Sequence, residues 1–156
     1  MYKGGTALML AEIISPSKDK QLRLFDTFDG MPATAPNIDY HREGDFSDNS
    51  LNAVRVRIGD SGNLSFHPGL MPDTFSGLEG NNIAFAHIDV DIYQSVLHCC
   101  EFIFPRLTSG GIIVFDDYGF PSCPGARAAV DRFFRQKLEV PLVLPTGQAV
   151  VIKLPS

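Results

Sequence analysis

A chain of 156 residues, 44% of them apolar, supplies one core of ordinary size and suits a single domain over residues 1–156. Its formal net charge of -5 argues against a nucleic-acid backbone or an anionic membrane surface as the main partner. No apolar run approaches the roughly 20 residues of a membrane span, and Met1-Tyr2-Lys3-Gly4-Gly5 lacks the charged and apolar regions of a signal peptide. A cytoplasmic location is therefore the expectation. Cys99, Cys100 and Cys123 are odd in number, with two adjacent. They match neither a disulfide framework nor a zinc-ligand spacing, and read as reduced core thiols.

In chain order, Gly4-Gly5 is a turn entering a helix to Ile14 that is apolar nearly all round, hence expected to be buried; Pro16 ends it. Leu22 to Phe25 reads as a short strand stopping at Asp26. From Asp26 to Asp48 the chain is rich in Gly, Pro, Asp and Asn, the mark of a long, functional loop. Ser50 to Arg57 forms a short helix with Asp48 or Asn49 as the expected cap. Leu64 to His67 alternates as a strand does, and Ile83 to Val90 is an apolar run suited to a central parallel strand buried on both faces. Tyr93 to Leu107 carries apolar residues at helical spacing, and Thr108-Ser109-Gly110-Gly111 reads as the turn that stops it. Ile112 to Phe115 is a second buried strand, and Pro124 to Lys137 a helix with proline near its start. Leu142 to Leu144 and Ala149 to Ile152 are strands joined by a short turn, so the last runs antiparallel to its predecessor. Strands alternating with helices give an α/β fold with a mostly parallel sheet, whose ligands bind beyond the carboxyl ends of the strands.

Acidic residues collect at those ends. Asp26 closes one strand, Asp89 and Asp91 a second, and Asp116 and Asp117 a third. Neighbouring parallel strands would set Asp89 and Asp116 about 4.8 Å apart, and like charges that close call for a cation between them. Hard oxygen ligands suit Mg²⁺, Mn²⁺ or Ca²⁺, and no Cys/His cluster nearby argues for structural zinc. One aspartate at a strand end often only caps the next helix, as Asp91 before Tyr93 could. Two such motifs after consecutive buried strands point to a shared metal site. Gly4-Gly5 reads equally well as a ligand-approach point at a helix N-terminus or as a plain turn. His87, inside an apolar strand, reads as a satisfied core histidine. His41 and His67 lie near loops, and Tyr93 and Tyr118 flank the metal motifs.

Leu24-Phe25-Asp26-Thr27-Phe28-Asp29-Gly30-Met31-Pro32 resembles the Asp-Ser/Thr-Phe-Glu/Asp-Gly-x-Pro signature of the macrocin-type O-methyltransferases. His87-Ile88-Asp89-Val90-Asp91-Ile92-Tyr93 matches their metal strand. Pro105-Arg106-Leu107, Gly110-Gly111, Phe115-Asp116-Asp117-Tyr118, Gly125-Ala126-Arg127 and Pro145-Thr146-Gly147-Gln148 continue the likeness in order. The resemblance implies a Rossmann-like class I fold and methyl transfer from S-adenosylmethionine to a sugar or other secondary-metabolite hydroxyl, assisted by Mg²⁺. Asp89, Asp116 and Asp117 would hold the metal, and Asp91 would be the general base. Asp26 would bind the adenosyl ribose. Gly4, Gly5 and Thr6 would lie near the methionine part, with Asp45 in the covering loop and Asp89 also beside the cofactor. A small-molecule hydroxyl acceptor and a homodimer are the expected partners, with no nucleic acid and no membrane.

Relative to that family, the chain starts late: the strand expected before Gly4-Gly5, and the helix before it, are not in the sequence. The alternatives are a non-catalytic binding or assembly domain, or a glycosyl or phosphoryl transferase using Asp89-Val90-Asp91. The last requires a basic group for a diphosphate, and Arg106 and Arg127 are the candidates.

Overall fold

The computed structural model describes residues 1–155. It divides into two compact units, Met1–Pro32 with Glu43–Thr74 and Ala33–Arg42 with Phe75–Ser156. No helix among the described residues is long and apolar enough to cross a membrane.

The first unit holds α1 (Gly5–Ile14), β1 (Leu22–Asp26), α2 (Leu51–Ile58) and β2 (Leu64–Pro68). β1 and β2 pair in parallel, with Leu24 opposite Phe66 and Asp26 at the carboxyl end. Gly4 precedes α1 in the left-handed region (φ 79°). A Cβ there would meet Val54 Cγ1 at 3.2 Å, so glycine both permits the turn and lets α1 approach α2. The expected burial of α1 does not hold: Ala7 is its one buried side chain, and Met9 and Ile13 are exposed, because α1 packs on α2 and β1 through one side. Ser50, rather than Asp48 or Asn49, caps α2 by accepting the Ala53 N–H at 3.2 Å. Asp48 is held instead by Lys3 and the Tyr2 hydroxyl, and Asn49 by the Tyr2 carbonyl. Within the long loop, the Met31 N–H donates to the Asp45 carbonyl at 2.7 Å and the Gly44 N–H to the Met31 carbonyl at 2.9 Å.

The second unit holds β3 (Ile83–Ile88), α3 (Tyr93–Ile103), a 3₁₀ turn (Phe104–Arg106), β4 (Leu107–Phe115), α4 (Pro124–Phe134), β5 (Leu142–Val143) and β6 (Ala149–Ile152). The strand order is β3-β4-β6-β5. β3 and β4 are parallel, and β6 is antiparallel to both its neighbours, so β6 alone runs against the others. The core lies around β4, α3 and α4, with Ile113, Phe115, Val96, Cys100, Ala129, Val130 and Val151 almost wholly enclosed. Cys99 and Cys100 are reduced, buried thiols, as the sequence suggested.

Two expectations fail here. β3 is not buried on both faces: Ala84 and Phe85 are exposed, and among the described residues β3 pairs with β4 alone. Residues 108–111 are not the turn that ends α3; Pro105 and the 3₁₀ turn end it, and these residues extend β4. They form a bulge, since Ile83 faces Leu107 while Phe85 faces Ile112, with Gly110 at φ 75°.

The segment 33–42 is anchored in this second unit by Asp39, a buried carboxylate. Its Oδ1 accepts the Tyr93 N–H at 2.8 Å, in the first turn of α3, and its Oδ2 accepts the Ala35 N–H at 2.9 Å. A Cβ on Gly125 would overlap that Oδ1 and lie 2.9 Å from the Tyr93 nitrogen. Gly125→Ala should therefore destabilise the chain by about 1–3 kcal/mol in urea denaturation, as overpacking does. In an Asp39→Ala background the added cost should shrink, because the overlapping oxygen is gone.

Candidate functional site

The parallel register of β3 and β4, with Ile88 opposite Phe115, puts Asp89 and Asp116 one step beyond the paired ends. The ladder extends that far, since the Asp116 N–H donates to the Ile88 carbonyl at 2.9 Å. Asp89, Asp116 and Asp117 each offer a carboxylate oxygen, all within 4.8 Å of one another. Asp116 Oδ1 accepts the Gln148 side-chain N–H at 2.6 Å and faces His87 Nε2 at 3.3 Å. His87 is thus a satisfied histidine, as expected, but its partner is a candidate metal ligand. Asp117 is buried, and burial, followed by the charges of Asp91 and Asp89, pushes its carboxyl up to about 7.

Asp91 occupies a strained turn. Its φ is 57°, and the Ile92 N–H closes back on the Val90 carbonyl at 2.6 Å, a γ-turn with a left-handed residue at its centre. Such strain persists where the surroundings hold it, commonly at functional sites. Here the Asp91 N–H donates to Asp117 Oδ2 at 3.1 Å. The Asp91 carboxylate turns to different partners: Oδ1 lies 3.7 Å from His41 Nε2 and accepts the Cys123 thiol at 3.6 Å. Burial, then the charge of Asp89, raises its pKa above the ordinary 3.8, opposed by His41 and Cys123. Burial pushes the Cys123 thiol up to about 12. The sequence flagged His41 only as a loop residue and Cys123 as a core thiol; no spacing pattern joins positions 41, 91 and 123.

The donor chemistry fits a hard divalent cation. Asp89, Asp116 and Asp117 bring their oxygens together, and one is driven toward neutrality by burial and by the others' charge, the condition a bound cation relieves.

The remaining expected site residues, Gly4, Gly5, Thr6, Asp26 and Asp45, belong to the first unit, whereas Asp89, Asp91, Asp116 and Asp117 belong to the second. Asp26 ends β1; its Oδ1 accepts the Phe28 N–H at 2.8 Å and its Oδ2 the N-terminal ammonium at 2.5 Å. Gly5 and Thr6 begin α1, and a Cβ on Gly5 would meet open space. An acceptor carboxylate at a strand end and an open helix start fit a nucleoside-bearing cofactor. Asp45 is placed by its backbone carbonyl, which holds Met31.

Other flagged side chains are engaged elsewhere. His67 stacks on Phe25 and hydrogen-bonds Ser65. The Tyr118 hydroxyl donates to Asp131 at 2.7 Å, and Tyr93 accepts from Arg132. Arg106 donates to the Phe102 and Glu79 carbonyls, and Arg127 pairs with Asp131. Both basic groups that a diphosphate would require thus have partners on or beside α3 and α4.

A model of the macrocin O-methyltransferase family matches residues 1–150. The chain belongs to this family. Among its relatives, the 8-demethyl-8-(2,3-dimethoxy-alpha-L-rhamnosyl)-tetracenomycin-C 4'-O-methyltransferase from Streptomyces olivaceus is 27% identical over 139 residues, which is 81% of this chain and 53% of that protein. Demethyldecarbamoylnovobiocin O-methyltransferase from Streptomyces niveus is 24% identical, over 90% of this chain and 57% of its own length. This macrocin-family chain thus spans about half the length of the curated relatives it matches. The solved O-methyltransferase NovP aligns over 99% of the chain and 69% of its own, with a TM-score of 0.86 and 21% identity. The calicheamicin methyltransferase CalS11 aligns over 97% and 68%, with a TM-score of 0.79 and 19% identity. These likenesses establish the class I methyltransferase fold for the macrocin-family chain.

Asp117 gives a pH prediction. Its pKa is raised from 3.8 to about 7, so the folded state binds this proton more tightly than the unfolded chain. The stabilising contribution is complete below about pH 4 and lost as pH rises through about 7. In chelator, urea denaturation should show that decline, and Asp117→Asn should flatten it.

Proposed function

We infer that this chain is the catalytic part of an S-adenosylmethionine-dependent, Mg²⁺-assisted O-methyltransferase acting on a small-molecule hydroxyl, of a sugar or another secondary metabolite. The observation that carries the reading is the carboxylate trio Asp89, Asp116 and Asp117 with Asp91 held beside it in a left-handed turn, in a chain of the macrocin family. The named activities of the curated relatives, one of them a 4'-O-methyltransferase of a rhamnosyl-tetracenomycin C, support a glycosylated acceptor. The reading includes a cytoplasmic homodimer.

Each residue has a part. Asp89, Asp116 and Asp117 would hold Mg²⁺, or Mn²⁺ or Ca²⁺ in its place, and a cation there supplies Lewis acidity to an acceptor hydroxyl. Gln148 and His87 fix the Asp116 carboxylate, and Asp117 fixes the turn of Asp91. Asp91 would take the proton of the acceptor hydroxyl. Its raised pKa makes it a better base than a solvated carboxylate. Asp26 would accept the ribose hydroxyls of the cofactor, with Gly4, Gly5, Thr6 and Asp45 around it. S-adenosylmethionine would supply the methyl group on a sulfonium that needs little help to leave, so these residues would act by positioning and charge neutralisation.

The test is calorimetric binding of S-adenosylmethionine with and without Mg²⁺, followed by turnover on glycosylated acceptors. Asp91→Asn should keep cofactor binding while kcat falls about 10²–10⁴-fold. Asp89→Ala with Asp116→Ala should abolish the Mg²⁺ response. A folded chain that binds no cofactor, or an Asp91→Asn variant of unchanged kcat, would overturn the reading.

A further inference from the structure

We propose that His41, Asp91 and Cys123 form a second cation site, beside the carboxylate trio and distinct from it, for a thiophilic divalent ion of the zinc class. The three donors come from separate stretches of the second unit: the segment 33–42, the γ-turn after β3, and the residue that precedes α4. Sγ lies 3.6 Å from His41 Nε2 and 3.6 Å from Asp91 Oδ1, and Nε2 lies 3.7 Å from that same oxygen. The point equidistant from the corners of this triangle is about 2.1 Å from each, against zinc bond lengths of about 2.0–2.2 Å to nitrogen or oxygen and about 2.3 Å to sulfur. The same three atoms serve all three edges, so one ion at that point meets an imidazole, a carboxylate and a thiol that becomes a thiolate on binding.

The chemistry separates this site from its neighbour. Asp89, Asp116 and Asp117 offer oxygen alone and suit a hard ion, whereas imidazole and thiolate favour zinc-class ions over magnesium. His41 and Asp91 keep 19% and 20% of their side-chain surface exposed, while Cys123 is buried. Three protein ligands with one open side is the arrangement that leaves a fourth position to water. On binding, the Cys123 S–H bond is replaced by an S–metal bond, and the proton passes to bulk water. Asp91 belongs to both neighbourhoods: its backbone N–H reaches Asp117, and its carboxylate faces the thiol. An ion bound to Oδ1 draws charge from that carboxylate and lowers its basicity. Zinc occupancy therefore slows methyl transfer, a consequence that rests on the reading of Asp91 as the base, while the site itself does not.

The experiment is a Co²⁺ titration of the chain with Mg²⁺ in excess, read by absorption. The expected result is one strongly bound Co²⁺ with a thiolate-to-cobalt charge-transfer band. The band should be lost in Cys123→Ser, persist in Asp89→Asn with Asp116→Asn, and require about tenfold or more Co²⁺ in His41→Ala. Circular dichroism checks each variant, and His41→Ala carries the test if Cys123→Ser does not fold. No thiolate band from the folded chain would overturn the site. So would a band that survives Cys123→Ser, which would assign it to Cys99 or Cys100, or one that excess Mg²⁺ removes. Co²⁺ or Zn²⁺ binding with turnover unaffected would uphold the site and count against Asp91 as the base.

Discussion

The parallel pairing of β3 with β4 is the constraint from which the rest of the second unit follows. Both strands are apolar along their paired length and turn acidic at the same end, so the register that matches Ile88 to Phe115 also crowds Asp89, Asp116 and Asp117. That crowding is unfavourable in itself, and it adds to burial, the larger cause, in raising the pKa of Asp117. The surrounding structure answers with hydrogen bonds to the carboxylates, from Gln148 on the far side of the β5–β6 turn and from the backbone N–H of Asp91, and with His87 of β3 set 3.3 Å from Asp116. Because that last bond comes from a residue at positive φ, the strain of the turn and the charge of the cluster are compensated together.

A second chain of dependence runs through a glycine. Gly125 has no side chain where the Asp39 carboxylate sits, so Asp39 can reach the start of α3 and bond the Tyr93 N–H. That bond secures the segment 33–42 to the helix that follows the Asp91 turn. His41 lies two residues beyond Asp39, and Cys123 two residues before Gly125. The packing that caps α3 therefore also delivers an imidazole and a thiol to the Asp91 carboxylate. A buried cap in a polar, proline-rich loop is unusual on composition alone, because an isolated buried carboxylate is costly. It is tolerated here because both oxygens accept backbone N–H groups.

Much of this was legible along the chain. The strands and helices are local features: apolar runs of strand length, helical spacing in α3, proline at the start of α4 and the turn before β6 determine them without reference to distant residues. The family signature and the aspartates at strand ends are equally local, which is why the sequence alone points to the carboxylate trio. What misled was also local. An all-round apolar α1 and an apolar β3 imply burial on every side, yet burial depends on what packs against an element, and here each is covered on one side. Thr108 to Gly111 looks like a turn, yet continues the strand because Gly110 and Gly111 exchange backbone hydrogen bonds with Lys153, just past β6, and the Thr108 hydroxyl donates to the Ile83 carbonyl.

The sequence by itself determined the fold class, the family and the acidic strand ends, because each is written in short contiguous stretches whose periodicity and chemistry are self-sufficient. Only the tertiary structure decided the cap of α3 by Asp39, the engagement of Arg106 and Arg127 with α3 and α4, and the meeting of His41, Asp91 and Cys123. Those contacts join positions as many as 82 residues apart. Their geometry depends on registers and side-chain volumes, down to one absent Cβ at Gly125, that no local pattern encodes.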